Sequence, residues 1–275
     1  MKRIVFILAM GLSFLSCKKQ SEEAAEKKIL LSEVRVDGLL NLRFSYNDRG
    51  LPVKLESFDL NPGNNSVASY AEFQYNENDQ IKQYFSYTMP GNASPVAKTI
   101  VQYNEAGKLS NASFYDLQSA TPNSAYITHS FVYNNKGQLS THTERNANGQ
   151  LTVRKNLSYY DNGHLKEIQE WKENGGQLWM FGKTLYSRPD GNYPSGLEQL
   201  STLLGADFIA RMYSDAISNL NYSQIGVNTK SWNAQITSRE FNGDGTLKRQ
   251  TTTHKFIKPV SDDKVFQSEF SYISR

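Results

Sequence analysis

The sequence predicts a mainly β protein: an antiparallel sheet built of repeated β-hairpins, with one helical segment at about 195–220 packed on it. Three observations carry this expectation. A short phrase of the form Tyr-Asn-x-x-Gly-x-Leu returns along the chain, and residues on either side of each copy alternate between apolar and polar. The aromatic content, 16 Tyr and 14 Phe against 3 Trp, suits sheet surfaces on which a ring packs while its hydroxyl stays wet.

The first segment is an address and not part of the sheet. Lys2 and Arg3 precede an unbroken apolar run from Ile4 to Leu12, followed by Ser13, Phe14, Leu15, Ser16 and Cys17. That order reads as a signal peptide over residues 1–16, removed on export. A membrane-spanning helix needs about 20 apolar residues, and here Lys18 and Lys19 follow too soon. The Leu15-Ser16-Cys17 ending resembles the lipobox of bacterial lipoproteins. The resemblance implies a diacylglycerol on the Cys17 thiol, palmitate-type acyl chains, and a mature protein that begins at Cys17. It also implies a place in the bacterial cell envelope, at the outer membrane, with the membrane itself as first partner. Cys17 is the only cysteine, so no disulfide framework is available and stability must come from the core.

Residues 17–36 are expected to be a lipid-anchored tether, because Lys18 to Lys28 is charged and poor in apolar side chains. Residues 37–275 then form a single domain, a common size for an all-β unit. The formal net charge of +3 is small, and no basic cluster is interleaved with aromatics, so nucleic acid is not an expected partner.

The phrase occurs most clearly at Tyr46-Asn47-Asp48-Arg49-Gly50-Leu51, Tyr103-Asn104-Glu105-Ala106-Gly107-Lys108-Leu109 and Tyr133-Asn134-Asn135-Lys136-Gly137-Gln138-Leu139. Weaker copies begin at Tyr75, Tyr159 and Phe241, and a minor one runs from Asn146 to Leu151. Each element of the phrase has a task. The aromatic ends a strand, Asn or Asp hydrogen-bonds backbone two residues on, and glycine takes the positive φ of a bulged hairpin. Leucine opens the return strand. The pairs Phe44/Tyr46, Phe73/Tyr75, Val101/Tyr103, Phe131/Tyr133 and Leu157/Tyr159 share one face, whereas Ser45, Gln74, Gln102, Val132 and Ser158 share the other. A period of two with one apolar face predicts half-buried antiparallel sheet.

Over residues 40–175 and 235–275 this phrase resembles the YD repeat of RHS-type proteins and of YD-repeat lipoproteins of Bacteroidetes type. The resemblance implies a β-hairpin array on a cell envelope. It brings no catalytic residues, because the repeat is architectural.

The array is interrupted after Pro189-Asp190-Gly191-Asn192-Tyr193-Pro194, a run of turn formers. Ser195 can cap a helix whose apolar residues, Leu197 to Leu220, recur at three and four positions. It is expected to cover the open apolar face of the sheet.

No residue pattern announces catalysis, and neither a cofactor nor a metal is expected. His129, His142, His164 and His254 are scattered without ligand spacing. Asn242-Gly243-Asp244-Gly245 starts like a calcium loop but lacks the later oxygen ligands. Glu167, Glu170, Asp190 and Asp244 show no spacing that marks a carboxylate pair. The expected function is a non-enzymatic envelope lipoprotein that binds or scaffolds a polysaccharide, peptide or protein. Trp171, Trp179, Phe181 and Tyr186 are the candidate ligand-stacking aromatics. The alternatives are a glycan hydrolase using the carboxylates beside those rings, and a carrier of an apolar ligand in a cavity under the helix.

Overall fold

The computed structural model describes residues 28–61, 63–89, 94–120, 124–187, 202–203, 216–220, 230–258 and 262–275. The first eight strands are β1 (Ile29–Val36), β2 (Leu39–Tyr46), β3 (Pro52–Phe58), β4 (Val67–Tyr75), β5 (Ile81–Thr88), β6 (Ala97–Tyr103), β7 (Leu109–Asp116) and β8 (Ile127–Tyr133). The remainder are β9 (Leu139–Asn146), β10 (Leu151–Tyr159), β11 (Leu165–Asn174), β12 (Gln177–Tyr186), β13 (Ala216–Leu220), β14 (Lys230–Phe241), β15 (Leu247–Lys258) and β16 (Lys264–Ser274). Each strand pairs antiparallel with the next, and β1 pairs with β16, so the sheet closes into a barrel. Closure removes the unpaired edges that an open sheet would have to protect.

The hairpin phrase builds one rim of this barrel. At the copy beginning with Tyr133, Asn134 Oδ1 accepts from the Lys136 amide at 3.0 Å and the Gln138 amide at 2.9 Å. Gly137 N donates to the Asn134 carbonyl at 2.9 Å, with Gly137 at φ +76°. The pairing slips by one residue between Val132 and Tyr133, which is the bulge. In the copy beginning at Tyr75 the same left-handed position is held by Asp79 at φ 59°, one of the few non-glycine types that tolerates it.

In four copies the tyrosine of the phrase ties one turn to the strand start before it. The Tyr46 phenol donates to the Leu31 carbonyl at 2.6 Å, Tyr75 to Pro52 at 2.5 Å, Tyr103 to Ile81 at 3.0 Å and Tyr159 to Leu139 at 2.7 Å. The acceptor in each case lies at or near the start of a strand. Burial holds these phenols above their ordinary pKa, Tyr103 and Tyr159 at about 12, and neighbouring phenols in the row add to the effect for Tyr75 and Tyr159. On the same rim, Gln80 Nε2 donates to the Gly107 carbonyl at 3.0 Å and Lys108 Nζ to the Gly137 carbonyl at 2.6 Å. The phrase therefore serves both the turn and the stacking of one turn on its neighbour.

Faces segregate as the alternation requires. Phe44, Phe73, Val101, Phe131 and Leu157 are buried in one continuous core with Leu30, Leu31, Ile81, Leu139 and Leu247. The opposite side of the same strands carries charge: Arg43 bridges Glu33 and Glu56, Lys54 pairs with Glu56, and Lys183 pairs with Glu167. Gln74, Gln102, Val132 and Ser158 are exposed. A barrel with a continuous core on one face and ion pairs on the other has its apolar side within.

Two expected boundaries change. The tether predicted for 17–36 cannot run that far, because residues 29–36 form β1, the strand that closes the barrel. Leu30, Leu31 and Val34 are its buried residues, and the strand pairs with β16 on both sides of an irregularity between Leu31 and Glu33. The helical segment expected at about 195–220 does not reach 220: Ala216–Leu220 is β13, paired with β12 and β14. Those residues complete the ring between two strands, so tertiary pairing overrides a helical spacing. Of the rest, Thr202 and Leu203 are helical and Leu203 packs against the core; Ser195, Leu197, Leu200 and the neighbouring positions lie outside the described residues.

Candidate functional site

The inward face is not uniformly apolar. Hairpin register brings together side chains far apart in sequence: Ala112 faces His129, His129 faces Glu144, Phe131 faces His142, His142 faces Lys155 and Lys155 faces Glu170. The register follows from the bulged turn at 134–137, since pairing Tyr133 with Leu139 sets Phe131 against His142 and His129 against Glu144. These groups surround a cavity of about 230 Å³ lined by Tyr84, Thr99, Ala112, Phe114, His129, Phe131, His142, Glu144, Lys155, Thr202 and Leu203.

His129 Nδ1 and His142 Nε2 lie 2.9 Å apart, close enough to share one proton, and the His142 ring stacks on Phe131 at 5.0 Å and 5°. Burial, then the neighbouring His129 and Lys155, hold the His142 pKa down to about 3. His129 is also lowered, by burial first, with Glu144 opposing. The pair is neutral at ordinary pH, one ring donating to the other.

Charge in the cavity comes instead from Glu144 and Lys155. Glu144 Oε1 accepts from the Thr152 hydroxyl at 2.9 Å. Lys155 reaches Glu170 at 3.6 Å, and Glu170 is also held by Lys172 at 3.3 Å. Thr99 is 2% exposed, and its hydroxyl lies against the Tyr84 phenol, whose pKa burial raises and Thr99 lowers in part.

Of the four candidate stacking aromatics, one is placed in the core and three on the sheet surface. Tyr186 is 2% exposed and lies in the core, where its carbonyl accepts from the Tyr160 phenol at 2.7 Å. Trp171, Trp179 and Phe181 are half-buried on β11 and β12, with the Lys172 ammonium 3.5 Å from the Phe181 ring centre. Sheet closure turns Tyr186 inward, which the residue type alone did not reveal. His129 and His142, scattered in the sequence, are brought together by the cross-strand register. Among the carboxylates, Glu167 and Glu170 sit on opposite faces of β11, Glu167 bonded to Lys183 at 2.9 Å and Glu170 inside. Asp244 is occupied in its turn, accepting from Thr246 N at 2.9 Å. Asp190 lies outside the described residues. Among the described residues no group of three or more His, Cys, Asp and Glu could hold a metal ion.

No protein-family model matches the chain, and no curated protein matches it. Among solved structures, the chain is similar to a porin-like protein from Bacteroides uniformis, at 12% identity and a TM-score of 0.54, over 89% of this chain and 96% of that one. That likeness is one of fold. A TcdB2–TccC3–Cdc42 structure matches at 10% identity with a TM-score of 0.25, and this chain spans only 13% of its length. The porin-like neighbour agrees with a β-rich fold built of repeated hairpins.

Proposed function

We propose that the protein is a non-enzymatic lipoprotein of the bacterial envelope, a YD-repeat barrel that binds a small molecule in its interior. The observation that carries this reading is the cavity on the inward face of β5 to β10, where Glu144, Lys155, Thr99 and the His129–His142 pair stand among Tyr84, Phe114 and Phe131. Binding sites of this kind combine apolar walls with a few placed polar groups. The carrier reading is thereby favoured over a glycan hydrolase, because the two β11 carboxylates face opposite ways and Glu170 is committed to Lys155 and Lys172.

The charged outer face supports attachment to a membrane through lipid. A barrel that spans a bilayer presents an outward apolar band about 25 Å tall. Here Arg43, Lys54, Glu56, Glu167 and Lys183 stand on the outer face. The lipid on Cys17 then supplies the membrane contact. In a detergent phase-separation assay, the full-length protein is expected in the detergent phase and Cys17→Ser in the aqueous phase. Equal partition of the two into detergent would refute the anchor.

The binding reading has its own test. Native mass spectrometry of the purified full-length protein is expected to detect small molecules retained from a mixed metabolite pool. Leu203→Trp, which fills the cavity from its helical side, should lose them while its thermal unfolding stays cooperative. Retention of the same molecules by Leu203→Trp would place binding elsewhere, and retention of none by either protein would end the carrier reading.

A further inference from the structure

The proposal that follows rests on the cavity reading and names its ligand. Two opposite charges line the cavity from adjacent strands: Glu144 on β9 and Lys155 on β10. Neither is saturated. One oxygen of Glu144 accepts from Thr152, which leaves the other open to a donor. The Lys155 ammonium has three N–H donors, and its ion pair with Glu170 is long, at 3.6 Å. Beside them stands the Thr99 hydroxyl, 2% exposed and next to the Tyr84 phenol. Tyr84, Phe114, Phe131 and Leu203 supply apolar wall around these polar groups.

A purely apolar occupant would leave the second Glu144 oxygen and the remaining Lys155 N–H donors without water and without a partner. A simple anion would meet Lys155 but sit against Glu144, and a simple cation would meet the reverse. One chemistry satisfies both ends. We propose that the cavity binds a small zwitterion of the α-amino acid type, its ammonium on Glu144, its carboxylate on Lys155 and its side chain against the aromatic wall. Thr99 adds a hydroxyl that either end of the ligand can use. The size agrees: a cavity of 150 Å³ holds a benzene ring, and about 230 Å³ gives room for a ring or branched aliphatic group with its polar head.

The test is isothermal titration calorimetry of the purified full-length protein with four probes: phenylalanine, leucine, phenethylamine and 3-phenylpropionate. The two amino acids are expected to bind, and the amine and the acid, each lacking one charge, to bind at least roughly tenfold more weakly. Glu144→Gln should abolish the advantage of phenylalanine over the acid, and Lys155→Met its advantage over the amine. The double exchange Glu144→Lys with Lys155→Glu keeps both charges and should restore part of the binding, which guards against loss through misfolding. Equal affinity for amine, acid and amino acid would overturn the zwitterion while leaving the cavity reading intact. Absence of all four, with other molecules still retained and lost in Leu203→Trp, would do the same. If nothing of any class is retained, the cavity reading and the zwitterion fall together.

Discussion

Lowering the pH from 7 to 4 is expected to cost the barrel about 3 kcal/mol through His142 alone, at about 1.4 kcal/mol per pKa unit. Burial, followed by the charges of His129 and Lys155, keeps the folded imidazole neutral down to about pH 3. In the unfolded chain the same ring takes up its proton near pH 6.5. Within that window the unfolded state binds the extra proton, so stability falls as pH falls and is fully present only above the unfolded value. His129 is lowered for the same first reason and acts in the same direction. Urea unfolding at pH 7, 5.5 and 4 checks this when the full-length protein is compared with His142→Gln, which keeps a polar side chain but cannot titrate there. The variant should lose about 3 kcal/mol less over the range. Parallel pH profiles would mean that His142 is already charged inside the barrel. Contributions of the outer-face carboxylates are common to both proteins and cancel in the difference.

Leu31→Ala should be more damaging still, by about 3–4 kcal/mol, as for other fully buried leucines cut to alanine. Leu31 has no exposed surface, and its position in β1 lies across from Tyr272 of β16, so its side chain belongs to the seam that closes the ring. Its carbonyl also receives the Tyr46 phenol, and a local shift of β1 on loss of the side chain disturbs that bond. The paired control is Val132→Ala. Val132 is as apolar in type but 55% exposed on the outer face, and its truncation should change stability by no more than about 0.5 kcal/mol. Denaturant midpoints of the two variants measure the contrast directly. If Val132→Ala costs as much as Leu31→Ala, the apolar side of the sheet does not face inward, and the assignment of faces is wrong.

The legible part of the architecture is that written into neighbouring residues. Tyr133-Asn134-Asn135-Lys136-Gly137 contains its own turn: the Asn134 oxygen reaches amides two and four residues on, and Gly137 adopts the backbone that a side chain resists. Phe131 against Val132 shows by alternation which side is buried. The same reasoning failed at Ala216, Ile217 and Leu220, where spacing at three and four suggested a helix and the ring required a strand. A short apolar segment is ambiguous between the two, and the partners β12 and β14 decide it. Residues 29–36 were misassigned to the tether for the related reason that the strand they pair with, β16, is at the far end of the chain.

The candidate site was less legible than the fold. Trp171, Trp179, Phe181 and Tyr186 stood out by residue type, yet Tyr186 is core and the other three are half-buried. His129, His142, Glu144 and Lys155 stood out by nothing in their spacing, because a histidine thirteen positions from another has no local relation to it. The hairpin at 134–137 creates that relation, and the register could have been counted from the turn once its bulge was known.

By itself the sequence determined the repeated turns, the alternation of faces, the mainly β class and the expectation of export with an anchor at Cys17, since each depends on interactions within a few residues. The tertiary structure alone decided that the hairpins close into a barrel through β1 and β16, and that charged groups and a histidine pair meet around a cavity inside it. Those outcomes depend on strand registers linking residues as distant as Ile29 and Ser274. Such pairings come from how successive turns add up around the ring, and no short stretch of chain contains them.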